Sequence, residues 1–181
     1  MILSNETIEL RPFILEKDNN ALKEQYLNWF TYDNVQLINS YDLFVHSSLN
    51  FIEESFKRFS SSTCQGFFIY DKRSKQFLGT LKLDKIDMFR RSTEIGLMIG
   101  ESSFQGKQVG TQVMQLIIDY SFNVLGLHRI WGGTSEYNKG MITLFKKYNF
   151  TEEGRFKDAN YISGKYSDNI YFGLIKKEYV I

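Results

Sequence analysis

The stretch Thr93–Leu125, TEIGLMIGESSFQGKQVGTQVMQLIIDYSFNVL, decides how this chain folds. An apolar strand, Thr93 to Gly100, runs into a polar turn and then into a glycine-bearing loop, Gln105 to Gly110. Apolar residues follow at Val109, Val113, Leu116, Ile117, Tyr120 and Val124, the spacing of a helix with one buried face that continues to Leu125. Gly126 stands where a left-handed residue would close that helix. Strand, glycine loop and helix N-terminus, in that order, make an anion site. The first N–H groups of a helix have no partner within it, and the helix dipole adds partial positive charge beside them. Gly106 and Gly110 let the backbone approach a guest closely, and a diphosphate is the natural one. Gln108 lies between the two glycines, so neither G-x-G-x-x-G nor G-x-x-x-x-G-K-[ST] is present.

Alternation along the strand puts Thr93, Ile95, Leu97 and Ile99 on one face and Glu94, Gly96 and Met98 on the other. The second face carries little side-chain bulk beside Glu94 and has room for a cleft. Upstream, Gly66 to Tyr70 and Phe77 to Ile86 read as strands joined by a turn at Asp71 to Lys75. With Thr93 to Gly100 they predict an antiparallel meander. Ile8 to Phe13 reads as an edge strand, because Pro12 is tolerated there. Two helices are expected at Asp18 to Trp29, with Asp18 as cap, and at Leu49 to Phe59. An irregular connection from Thr31 to Ser48 separates them. Downstream, Arg129 to Ser135 is expected to lie parallel to the Thr93 strand after the helical crossover. Asn138 to Tyr148 is a short helix with Met141, Leu144, Phe145 and Tyr148 on one face. Phe150 to Lys157 and Ser167 to Lys176 read as closing strands on either side of a polar loop.

Gln105-Gly106-Lys107-Gln108-Val109-Gly110 resembles the Q/R-x-x-G-x-G/A loop of the GNAT superfamily of acyl-CoA N-acyltransferases. Glu94-Ile95-Gly96 resembles the E-I-G of that family's fourth strand, and Leu127-His128-Arg129-Ile130 resembles its fifth. Asn138 with Leu144 to Phe150 is similar to its N-x-x-S-x-x-L-[YF]-x-K-x-G-F helix, with Asn149 in place of glycine. Glu153-Gly154-Arg155 matches a following E-G-R. The motifs arrive in family order over nearly the whole chain. They look closest to the branch of ribosomal-protein N-terminal acetyltransferases and aminosugar N-acetyltransferases.

The resemblance implies a mixed α/β (α+β) domain spanning residues 1–181. Its central sheet would be mostly antiparallel, with about seven strands, about four flanking helices and a V-shaped splay between the fourth and fifth strands. It implies acetyl transfer from acetyl-CoA to a primary amine. Ile95, Leu97, Met98, Ile99, Gln105, Gly106, Lys107, Gln108, Val109, Gly110, Thr111 and Asn138 are the cofactor-binding set. Glu94 is the candidate base. The family's usual acids are missing, since Phe145 and Met141 replace Tyr and Ser, and Tyr148 is the hydroxyl left to protonate the leaving thiolate. Tyr32, Asp33, His46 and Tyr161 lie in the segments left for the acceptor. Lys157 and Lys165 flank the second of these segments and turn the reading towards a compact polar amine such as an aminosugar, away from a polyamine. The alternatives are a protein N-terminus as acceptor, or a CoA-binding protein with weak or no catalysis.

Composition agrees with an ordinary globule: 181 residues, 43% hydrophobic and 24% charged. The net charge of +1 implies no broad attraction to nucleic acid or membrane. The single cysteine, Cys64, allows no intrachain disulfide and no cysteine metal cluster, and a buried thiol fits it best. No signal peptide is read at the N-terminus and no apolar run reaches the roughly 20 residues of a membrane span, so a cytoplasmic protein without a metal is expected. A homodimer is the assembly to test.

Overall fold

The computed structural model describes residues 1–30, 49–162 and 164–179. Among the described residues eight strands form one sheet in the order β1-β2-β3-β4-β5-β6-β8-β7. They are β1 (Leu3–Ser4), β2 (Ile8–Pro12), β3 (Gln65–Asp71), β4 (Phe77–Asp87), β5 (Ser92–Ile99), β6 (Arg129–Ser135), β7 (Thr151–Ile162) and β8 (Lys165–Ile175). Four α-helices are described: α1 (Asn20–Asn28), α2 (Leu49–Arg58), α3 (Val109–Asp119) and α4 (Lys139–Lys147). The β5–β6 pair is parallel and every other pair is antiparallel, as expected for a strand reached through a helical crossover. The sheet is thus one strand richer than the sequence suggested. The extra strand, β1, pairs only Leu3 with Leu10 and Ser4 with Glu9. Pro12 therefore faces β3 alone and keeps the edge character that its missing N–H requires.

Both faces of the sheet are covered. Ile95, Val113, Ile117, Ile130, Phe145 and Phe172 belong to the core beneath α3 and α4. Phe13, Tyr26, Trp29, Ile52, Phe56, Phe68 and Phe77 form the aromatic core beneath α1 and α2. β3 serves both cores, which is why it reads as an unbroken apolar run: Phe67 and Ile69 face one, Phe68 and Tyr70 the other. Asn19, not Asp18, caps α1 by accepting from the Leu22 N–H at 3.3 Å. Asn149 takes φ 60° just past α4, the conformation that Asn tolerates in place of glycine.

The long amphipathic helix changes pitch before its end. After Asp119, residues Tyr120–Val124 form a π turn, and Gly126 follows at φ 68°. The wider turn rotates the buried face. Ser121 and Phe122 become buried, whereas Val124, which regular α spacing would bury, is 56% exposed. The polar segment Asp158 to Ser167 is not a loop. It continues β7 and β8 into a hairpin with Asn160 opposite Ser167, Tyr161 opposite Tyr166, and a turn at Gly164 with φ 80°. A bulge between Phe156 and Asn160, with Asp158 at φ 52°, hides the alternation from the sequence.

β5 and β6 pair only at Ser92–Arg129, Thr93–Ile130 and Glu94–Trp131, then diverge. Beyond that point β6 is held by β8 alone and β5 by β4 alone. Phe145 packs beneath the divergence, fully buried, stacked on Phe172 with centroids 4.9 Å apart and against Phe150 at 4.9 Å. Replacing Phe145 with Ala should cost about 3–5 kcal/mol. Denaturant unfolding measures this, and a loss below 1 kcal/mol would show that the ring does not hold the divergence in place.

Candidate active site

The loop after β5 is fixed from both ends. Gln105 Nε2 donates to the Ile99 carbonyl at 3.0 Å, tying the loop to the strand it leaves. Gly106 takes φ 75°, and Gln108, at the N-cap of α3, takes φ 61° and ψ 10°. This left-handed backbone is costly for a residue with a side chain, and Gln108 adopts it without any side-chain cap bond in return. The N-terminus of α4 lies across the loop. There Asn138 Oδ1 accepts from the Met141 N–H at 3.0 Å, so Asn138 is an N-cap as well as a cleft residue.

Between these two helix N-termini lies a cleft of about 670 Å³. Leu97, Ile99, Gln105, Gly106, Gln108, Val109, Gly110, Thr111 and Asn138 line it, all from the expected cofactor set. A Cβ on Gly110 would stand 2.9 Å from Leu144 Cδ1, so the glycine keeps the cleft open. The first N–H groups of α3 border this space beside the N-terminus of α4, where Lys139 and Met141 N–H donate to Tyr137 and Asn138, and the two positive helix ends suit a polyanion such as a diphosphate. The remaining members of that set do not line the cleft. Ile95 turns its side chain into the core, Met98 packs on the aromatic core of the opposite face, and Lys107 Nζ lies 5.2 Å from the Phe104 ring centre. Sequence reasoning missed Phe104, Tyr137, Lys139, Gly140, Met141, Thr143 and Leu144 as cleft residues. The available signal was the capping Asn138: the residues flanking an N-cap that faces a ligand loop share its surroundings.

Glu94 projects from the other face of the sheet, at the last residue paired with β6. Its carboxylate Oε2 is 2.7 Å from Lys85 Nζ. Asp84, its neighbour across β4, is buried. Burial alone would raise the Asp84 pKa, but Lys82, the Lys85 N–H at 2.9 Å and Arg58 together hold it below the usual carboxylate range. Cys64 is buried, and desolvation with the nearby Asp84 charge pushes its pKa to about 12, which makes it an inert thiol.

Tyr148 is used differently from the expectation. Its hydroxyl donates to the Thr111 carbonyl at 2.6 Å, bracing α4 against α3, and burial raises its pKa. That bond ties the C-terminal end of α4 to the first turn of α3 and commits the hydroxyl proton to Thr111. Of the residues assigned to the acceptor, Tyr161 sits in the β7–β8 hairpin, 52% exposed, with its ring 5.0 Å from that of Tyr166. Tyr32, Asp33 and His46 lie outside the described residues. Among the described residues no helix is long and apolar enough to cross a membrane.

Residues 8–151 match the family described as acetyltransferase (GNAT) domain. The spermidine N(1)-acetyltransferase of Escherichia coli strain K12 is 27% identical over 98% of this chain and 90% of its own. A dodecameric spermidine N-acetyltransferase from Vibrio cholerae superposes with a TM-score of 0.74 at 25% identity, covering 96% of each chain. RimL, a ribosomal L7/L12 α-N-protein acetyltransferase in complex with coenzyme A, superposes with a TM-score of 0.81 at 19% identity, covering 97% of this chain and 98% of its own. At that identity the likeness to RimL is one of fold.

Gln108→Gly should relieve about 1 kcal/mol of left-handed strain and raise the melting temperature by about 2–4 °C. An unchanged or lower value in a thermal scan would mean that the side chain of Gln108 earns its conformation. Gly110→Val should weaken CoA binding about tenfold or more. Calorimetry against CoA reads this, with circular dichroism checking that the fold is retained.

Proposed function

The chain belongs to the GNAT acetyltransferase family and is an acetyl-CoA-dependent N-acetyltransferase; on that premise we propose that its acceptor is a small aliphatic amine of the polyamine kind and that Glu94 takes the amine's proton. The observation that carries the reading is the gap between β5 and β6, with the cleft on one face and Glu94 on the other, one residue before the strands part.

Acetyl-CoA bound by its diphosphate at Gln105 to Thr111 can run along Ile95–Ile99 towards Glu94, about 16 Å of strand at 3.3 Å per residue. Along this stretch the edge of β5 carries N–H and C=O groups that β6 does not take up, and the amide groups of the pantetheine arm are suited to pair with them. A backbone N–H near Leu97 is suited to the thioester oxygen as it gains charge. The amine arrives from the Glu94 face as an ammonium ion and gives one proton to Glu94, directly or through water. Its lone pair attacks the thioester carbon, forming C–N. The C–S bond then breaks and its electron pair leaves on sulfur. The new amide nitrogen loses its second proton, and the thiolate gains one from water. The overall change is ammonium plus thioester to amide, thiol and one proton. Phe145 and Met141 carry no ionisable proton, and the Tyr148 hydroxyl is engaged by Thr111, so solvent is assigned this last protonation.

The polyamine assignment rests on the spermidine-acetylating relative that spans nearly the whole chain. The relatives reported above give the aminosugar expectation no support, and a polyamine replaces it. The dodecameric relative supports self-association here, broadening the expected homodimer to a homo-oligomer. Sedimentation should give a mass well above that of one chain.

A thiol-release assay should give turnover with spermidine above that with glucosamine or an N-terminal peptide. Glu94→Gln should lower kcat by about 10²-fold or more, with little change in acetyl-CoA affinity. The acidic limb of the pH–rate profile should vanish, because it reports protonation of the base and Gln does not titrate. Near-wild-type turnover in this variant would remove Glu94 from the mechanism, and a preference for the peptide would favour a protein N-terminus as acceptor.

A further inference from the structure

We propose that Glu94 and the Trp131 ring form the subsite for the acceptor's ammonium group, and that Lys85 is a built-in competitor which occupies it until the acceptor arrives. The proposal rests on the N-acetyltransferase reading above and adds where the charged nitrogen docks.

Alternation along β4 puts Lys82 and Asp84 on the face that Glu94 shares, since Lys82 pairs with Gly96 and Asp84 with Glu94. Lys85 should then point to the opposite face. It does not, because a bulge interrupts the register between Asp84 and Asp87, and Lys85 takes φ 49°. A bulge re-aims a side chain, and a non-glycine residue at positive φ does so at an energetic cost. The Lys85 N–H donates to Asp84 Oδ1 at 2.9 Å, and Asp84 is itself held by Arg58 and Lys82. The turned side chain places its Nζ 2.7 Å from Glu94 Oε2 and 5.0 Å from the Trp131 ring centre.

A carboxylate on one side and an indole face on the other are what a primary ammonium selects. Glu94 and Trp131 are opposite each other in the last β5–β6 pair, so this ammonium stands where the strands part. Among the described residues Lys85 is the cation paired with Glu94, and the Lys85 side chain is 61% exposed on a flexible stem. Such a pair is weak in water and easily exchanged for another ammonium. Lys82, the other cation on this face, is bound to Asp84 and lies across Gly96, whose added Cβ would meet Lys82 Cε at 2.7 Å.

The tests use Lys85→Met, which keeps the stem and removes the charge, Lys85→Arg, which keeps the charge, and Trp131→Leu. With spermidine as acceptor, Lys85→Met should lower KM for the amine about three- to tenfold and leave KM for acetyl-CoA unchanged. Lys85→Arg should stay near wild type, and Trp131→Leu should raise KM for spermidine. A Lys85→Met variant whose KM for spermidine is unchanged or higher overturns the proposal.

A second measurement does not depend on turnover. The chain has two tryptophans, so fluorotryptophan labelling gives two fluorine resonances, and Trp131→Leu assigns them. Propylammonium chloride should shift the Trp131 resonance, and should do so at lower concentration in Lys85→Met. No shift, or equal midpoints in the two proteins, overturns the subsite. Absence of acetylspermidine together with a tightened propylammonium response would instead overturn the polyamine reading alone.

Discussion

The structure depends on a pairing that stops. β5 and β6 share three residue pairs and then separate, and a gap inside a sheet leaves backbone donors and acceptors without strand partners. The chain tolerates this because each strand is held on its other side, β6 by β8 over its full length and β5 by β4 apart from the bulge opposite Thr93. The space beneath is filled: a Cβ on Gly132 would meet Phe145 Cζ at 2.9 Å and the Ile95 carbonyl at 3.0 Å. The opening is therefore a packed feature, and a ligand that satisfies the exposed edge of β5 completes the sheet.

Two helix N-termini converge on that opening, and their relative position is set by side chains of modest chemistry. Asn138 caps α4, Tyr148 braces α4 against the first turn of α3, and Gly110 allows Leu144 to approach. A tyrosine one helical turn from the family position is drawn into a backbone hydrogen bond, while the phenylalanine at that position is committed to the core with Phe150 and Phe172. On the opposite face Glu94 stands among Lys82, Asp84, Lys85 and Trp131, the set to which the proposed chemistry is assigned.

Several cleft residues were legible because their signals are local. A glycine loop at a helix start, an Asn three residues before a Met on a helical face, and an alternating strand each encode geometry within a few positions. Phe104, Tyr137 and Thr143 carry no such signal; they reach the cleft only because α3 and α4 start side by side. The tip of the β7–β8 hairpin reads as a loop in sequence because its residues are polar and its register slips at Asp158, so neither hydrophobicity nor period marks it. Regular helical pitch places Val124 inside, and the π turn moves it out.

By itself, then, the sequence determined the order of most elements, the glycine loop before α3, and the parity that sets Glu94 apart from Leu97 and Ile99. All follow from steric and periodic rules acting over one to eight residues. The tertiary structure alone decided that β5 and β6 part after Glu94, that Tyr148 binds Thr111, and that Lys85 reaches Glu94 across a bulge. Each of those joins residues from different elements, and their meeting depends on register, bulges and helix pitch, which the packing of the whole sheet fixes and no short segment encodes.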